Sequence, residues 1–114
     1  MNGVRVLLRR SREEIIERVR LFAEKMRRVY GECIRGVYVI GSVARGQHGP
    51  RSDVDVVVVL DARDSIPYHV LKKEAVDIID LPVDLLVIDE RELELHRRRE
   101  TRFYRELLGG EQVL

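Results

Sequence analysis

The chain of 114 residues has a single cysteine, Cys33, so no disulfide can close within it. With no second thiolate, a zinc cluster of the cysteine type is excluded within one chain as well, and Cys33 reads as a small apolar core residue. Long apolar runs are also missing. No stretch approaches the roughly 20 residues needed to cross a bilayer, and none joins a basic start, an apolar centre and a small-residue cleavage site, so the expected address is cytoplasmic. There is no excess of charge of either sign: 21 Lys and Arg against 20 Asp and Glu give a net charge of +1 and no global attraction to nucleic acid or an anionic membrane. Internal repeats and low-complexity linkers are absent. The length therefore reads as one domain over residues 1–114, long enough for a core and short for an enzyme that recognises two substrates unaided. Amides are scarce, one Asn and two Gln, which fits a heat-adapted source and decides nothing about function.

What is present is the 45% hydrophobic content of a globular protein, with charge unevenly spread. Residues 1–30 hold nine basic and four acidic side chains, whereas residues 53–94 hold twelve acidic and four basic, so cations are expected in the second region. Val4, Val6 and Leu8 alternate as in a short strand, although this stretch reads equally as the lead into a helix. "SREE" from Ser11 is a capping box, and Ile15, Ile16, Val19, Phe22, Ala23, Met26, Val29 and Tyr30 recur at helical spacing up to Gly31. "GVYVI" (36–40) reads as a buried strand, residues 41–52 as a Gly-rich connection with room for one helical turn, and residues 53–60 as a second strand. Val70, Leu71, Ala75, Ile78 and Ile79 predict a second helix before Leu81-Pro82, followed by a strand in "VDLLVID". Residues 90–108 are helical by composition, with a weak stripe of Leu93, Phe103, Tyr104, Leu107 and Leu108 that predicts self-association or a helical partner. The order of elements points to an α+β fold, layered as in α/β proteins, with a small mixed sheet flanked by helices.

The chemistry concentrates in "VYVIGSVARGQHGPRSDVDVVVVLD" (37–61). Asp53 and Asp55 are two apart on a strand and leave the same face, at the mouth of a "VVVVL" run expected to be buried on both sides. Asp84, at the start of the next strand, joins them if that strand lies beside the second. Ionised carboxylates repel by about 4 kcal/mol per pair at 4 Å and an effective dielectric of 20, so such a cluster calls for a counter-ion. Oxygen-only ligation suits Mg²⁺ or Mn²⁺, ions that bind through one or two carboxylates plus substrate phosphate. Gly41 lets the backbone approach an anion, and Ser42 and Arg45 can donate to it. Taken alone, Gly41, Ser42 and Gly46 are equally an ordinary loop after a strand. His48 reads as an exposed loop residue, His69 and His96 lack metal-ligand spacing, and "HRRRETR" reads as a solvated helix face rather than an RNA-binding one.

"GSVARG", ten residues from Ser42 to Asp53, "SDVDVVVV" and then "VDLLV" together resemble the nucleotidyltransferase superfamily that includes DNA polymerase beta and kanamycin nucleotidyltransferase. The resemblance covers residues 37–89 and the preceding helix. It is greatest to the minimal nucleotidyltransferases, small prokaryotic chains that act as antitoxins of HEPN-domain toxins. The resemblance implies the polymerase beta-like nucleotidyltransferase fold, with Gly41 and Ser42 on the triphosphate, beside which Arg45 is the candidate charged donor. It assigns Asp53, Asp55 and Asp84 to metal binding and catalysis, with Asp84 placed to deprotonate the acceptor. It implies Mg²⁺ or Mn²⁺ as cofactor, ATP as substrate, and transfer of AMP to a hydroxyl of a HEPN partner. Neither a membrane nor direct binding of nucleic acid is expected. "RELELH" (91–96) matches the Arg, four residues, His pattern of HEPN ribonucleases, but one helix cannot supply that all-helical bundle and the match is a coincidence. The competing reading is a non-catalytic module that blocks a HEPN ribonuclease sterically, a role that needs no clustered carboxylates.

Overall fold

In the computed structural model, which describes residues 10–114, the chain is a four-stranded mixed sheet with helices on both faces. The alternation of Val4, Val6 and Leu8 lies outside the described residues. Helix α1, Arg12–Tyr30, starts where the capping box predicts: the Ser11 hydroxyl accepts from the Glu14 amide at 3.2 Å, and the Glu14 carboxylate accepts from the Ser11 amide at 3.1 Å. Its stripe of Ile15, Ile16, Val19, Phe22, Ala23 and Met26 is buried, but Val29 at the end of the stripe is 58% exposed. The helix stops at Gly31, where a short 3₁₀ turn, Gly31–Cys33, leads into the sheet.

Strand β1, Ile34–Ile40, runs directly into a one-turn helix α2, Gly41–Ala44. Strand β2, Val54–Leu60, pairs antiparallel with β1. Helix α3, Tyr68–Ile79, then carries the chain to β3, Val83–Asp89, which pairs parallel with β2. The sheet order is β3-β2-β1-β4, the last strand being the two residues Glu111–Gln112, antiparallel to β1. No sequence signal marked this edge strand, which is too short to show a period.

The residues expected to form one terminal helix form two. Helix α4, Glu90–Arg99, ends at Glu100 in the left-handed region (φ 49°), and α5, Arg102–Leu108, begins on a Thr101 cap whose hydroxyl accepts from the Tyr104 amide at 3.1 Å. His96 Nδ1 lies 2.8 Å from the same hydroxyl, so Thr101 serves both helices. The break turns the weak stripe into two short ones. Leu93, Phe103 and Leu107 pack on Val57, Val59 and Ile88, which leaves Leu108 exposed at 70%.

Two apolar layers result. The first holds α1 and α3 against Val37, Val39, Val56, Val58, Leu60, Val83 and Leu85. The second is the smaller cluster under α4 and α5. Among the described residues every fully buried side chain is apolar, and no helix is long and apolar enough to cross a membrane. In β2 every residue is buried except Asp55, so the expectation of a strand covered on both faces holds, with one gap.

Candidate active site

The gap forms where three strands come into register. Asp55 on β2 is paired with Ile40 on β1 and with Asp84 on β3. Directly opposed residues point to the same face. The two carboxylates therefore stand side by side on the second face, beyond the edge of the cluster that α4 and α5 cover. Leu86, two residues along β3 on that face, is 45% exposed, and this half of the face is open.

Because Ile40 ends β1, the next residue turns immediately over Asp55. Gly41 has φ +73°, and a Cβ there would overlap the Asp55 Oδ2. Two independent requirements thus call for glycine: a left-handed backbone and the close approach of main chain to carboxylate. The turn is held by its own amides, with Arg45 N donating to Gly41 O (3.2 Å) and Gln47 N to Ser42 O (2.8 Å). Arg12 ties it to the rest of the fold, its Nε donating to Ala44 O at 2.9 Å while a second guanidinium nitrogen meets Glu111 Oε1 at 3.1 Å. Arg12 carried no signal in the sequence beyond its place after a cap. His48, expected to be exposed, is half-buried with Nε2 3.0 Å from Arg10 O. This contact fastens the loop to the residue that precedes the Ser11 cap.

Burial pushes the Asp55 carboxyl up to about 6, with Asp84, Asp53 and Glu106 adding like charge and Asp84 also hydrogen-bonding its side chain. This group is therefore half protonated near pH 6 in the absence of a cation. Asp53, exposed and immediately before β2, contributes to that field. Of the six residues expected at the site, Asp55, Asp84 and Gly41 are brought into direct juxtaposition. Asp53 borders them, Ser42 is half-buried in α2, and Arg45 is exposed at its end. Among the described residues no three His, Cys, Asp or Glu side chains converge closely enough to hold a metal ion by themselves.

The donor set nonetheless fits a hard divalent cation. It consists of oxygen only, it is open to solvent, and the neighbouring carboxylates add to the proton affinity of Asp55, which a cation would reverse. The register-paired Asp55 and Asp84 would hold such an ion, with Asp53 at the border of the site and the remaining positions left for water or substrate phosphate.

A cavity of about 250 Å³ lies beside Gly41, lined by Arg45 of the turn, Arg102, Arg105 and Glu106 of α5, and the Gly109-Gly110 crossing. Gly110 is a second position where only hydrogen fits, since a Cβ would run into the Val39 carbonyl oxygen. That close crossing sets the end of α5 against β1.

A family model described as a nucleotidyltransferase domain matches residues 19–108. The chain belongs to the nucleotidyltransferase domain family. A crystal structure of a Sulfolobus solfataricus protein described as a nucleotidyltransferase superposes with a TM-score of 0.56 at 20% identity, covering 83% of this chain and 81% of the other. At that identity the likeness is one of fold. No curated protein matches the sequence significantly. Nucleotidyl transfer is thus the general chemistry of this nucleotidyltransferase domain, and nucleoside triphosphates and divalent metals are what such domains generally use. The mixed sheet with helices on both faces is the nucleotidyltransferase fold expected from the sequence.

Proposed function

We propose that this chain is a metal-dependent nucleotidyltransferase that moves AMP from ATP to a hydroxyl of a protein partner, and that the partner is a HEPN-domain toxin for which it is the antitoxin. One observation carries the catalytic part: Asp55 and Asp84 are register partners on the uncovered half of the sheet face, with the Gly41 turn closed over them. A half-buried carboxylate beside a second, exposed one is costly to a fold, and its placement beside a backbone turn open to solvent favours a site for metal and phosphate over a structural role. The choice of adenylyl group and of a HEPN acceptor rests on the resemblance of "GSVARG", "SDVDVVVV" and "VDLLV" to minimal nucleotidyltransferases.

In this reading the Gly41–Ala44 turn receives the triphosphate, with the Ser42 hydroxyl and the Arg45 guanidinium as donors. Asp84 takes the proton of the acceptor hydroxyl, whose oxygen attacks the α-phosphorus in line. The bond from that phosphorus to the bridging oxygen breaks and pyrophosphate leaves. Divalent cations, when bound, supply charge stabilisation at the entering and leaving oxygens. The open half of the face lets the acceptor reach the carboxylates, and a partner that brings its own docking surface could supply much of the roughly 7 to 11 kcal/mol available from positioning.

The test is to incubate the chain with the cognate HEPN protein, Mg²⁺ and each nucleoside triphosphate, and to weigh the partner by intact mass spectrometry. The expected result is a mass increase of one adenylyl group, lost with Asp55→Asn. An unmodified partner that is still inhibited by both wild type and Asp55→Asn would leave the steric antitoxin standing in place of the transferase.

A further inference from the structure

Asp84 stands on the outermost strand of the sheet. The ladder to β2 holds β3 from one side only, and the other side of an edge strand ordinarily leaves its peptide groups to water. The Val54 amide donates to the carbonyl of Pro82, the residue just before β3, at 2.8 Å. Peptide groups alternate in direction along a strand, so those of Asp84 and Leu86 turn toward β2 and those of Val83, Leu85 and Val87 turn outward. Two of the outward carbonyls are nevertheless occupied. Lys72 Nζ donates to Val83 O, and the Tyr68 hydroxyl donates to Leu85 O at 3.0 Å. Both donors come from α3, four residues apart and hence on one helical face. They flank the stripe of Leu71, Ala75 and Ile79 that anchors α3 on the sheet. The carbonyls they take are those on either side of Asp84.

Resting on the nucleotidyltransferase reading, we propose that Lys72 and Tyr68 are positioning residues for Asp84, a two-point clamp from α3 that fixes the backbone on both sides of this carboxylate. Three features carry this. The contacts bracket the one residue of β3 that the site uses. They also replace, on the outer side of the strand, the ladder that a further strand would supply; Asp55, the register partner, already has a ladder on each side, through β1 and β3. Finally, a cation one peptide away from Asp84 weakens the field that draws a divalent ion, so its placement there is unfavourable for ion binding unless its hydrogen bond improves the geometry. Tyr68 is 50% exposed, so burial of its ring does not by itself explain its place. Both side chains act through the peptide groups that carry Asp84, and a ligand held in place on an edge strand is what an in-line reaction requires.

Calorimetric titration of the full chain with Mg²⁺, combined with residue-resolved amide hydrogen exchange, tests the clamp. Tyr68→Phe and Lys72→Met should each weaken Mg²⁺ binding by about ten-fold, the loss expected on removing one ordering hydrogen bond. They should also speed exchange of the Asp84 and Leu86 amides while those of α1 keep the wild-type rate, the pattern of local opening. The sign of the Lys72→Met effect is diagnostic. Removing a cation near the carboxylates strengthens Mg²⁺ binding if charge alone matters and weakens it if position does. Lys72→Arg, which keeps a charged donor, should restore much of the affinity. Lys73→Met, whose ammonium pairs with Asp77 along the same helix, is the control and should alter nothing. Wild-type Mg²⁺ affinity in Tyr68→Phe, or tighter binding in Lys72→Met, would overturn the clamp and leave the transferase reading intact. Exchange that quickens equally in α1 and β3 would also overturn it, by showing a general structural role. A wild-type chain that binds no Mg²⁺ would overturn the transferase reading and the clamp's role with it, a failure seen without any variant.

Discussion

The two faces of the sheet are built from one set of strands and have opposite characters. On the first, α1 and α3 lie across the full width, and Val19, Phe22, Val37, Val39, Val56, Val58, Leu60 and Leu71 are sealed from solvent. On the second, two short helices cover Val57, Val59 and Ile88, so the same strands end in a half-buried Asp55 and an exposed Asp84. The difference teaches that closure and chemistry are divided between faces. A carboxylate pair placed on the first face would have no solvent and no counter-ion, at a cost of several kcal/mol. On the second it is one short turn from Gly41 and open to substrate.

The comparison can be broken most severely at the closed face. Phe22→Ala should cost about 3–5 kcal/mol in urea denaturation, because the ring is fully enclosed and the rigid sheet beneath cannot collapse into the space. A loss below about 1 kcal/mol would show that this face is not the stabilising one. Next comes the seam between the faces: Gly41→Ala forces a side chain into a left-handed conformation and onto the Asp55 carboxylate. It should lower stability by about 1–3 kcal/mol and abolish nucleotide binding measured by calorimetry, whereas Gly109→Ala, close by but with an ordinary φ and room for a Cβ, should do little to stability.

On the open face, Leu107→Ala should cost about 2 kcal/mol because Leu107 is the plug between α5 and β2, while Leu108→Ala, 70% exposed, should fall within about 0.5 kcal/mol of wild type. Equal effects would mean that α5 does not dock as described. The smallest and most diagnostic effect belongs to Asp55. Its carboxyl is raised from an ordinary value of 3.8 to about 6, so the folded state holds the proton more tightly than the unfolded one. Stability from this source is full below pH 3.8 and is lost as pH rises through 6. Asp55→Asn should therefore raise stability at pH 7 by roughly 1 kcal/mol, a figure reduced for solvent screening. The gain should vanish by about pH 4 in thermal melts. Mg²⁺ should narrow the gap at pH 7 by stabilising the ionised wild type alone, and a gap that is the same at both pH values would remove the account of burial with added like charge.

Much of this could be read in advance. The α1 start rests on Ser11 and Glu14, neighbours in the chain, and the three main strands on runs of Val, Ile and Leu that need no distant partner to declare themselves. Asp53, Asp55 and Gly41 were visible because they interrupt such runs. Harder to see were Glu100 in a left-handed turn, the Thr101 cap inside an apparently continuous helix, and Arg12 as the clamp on Ala44. Each depends on what the segment meets across space. Residues 90–108 carry a weak stripe as one helix; as two helices they set Leu93, Phe103 and Leu107 on the sheet and leave Leu95 and Leu108 exposed.

Sequence by itself therefore determined the first helix with its cap, the three longer strands and the presence of the carboxylates and glycine between them, since propensity, periodicity and local capping are decided within a few residues of chain. Only the tertiary structure decided that Asp55 meets Asp84 and Ile40 in register, that β4 completes the sheet beside β1, and that Arg102 and Arg105 line a cavity with Gly41. Register, and the face a short helix presents, are chosen by packing between segments distant in sequence, where burial and steric fit outweigh local preference.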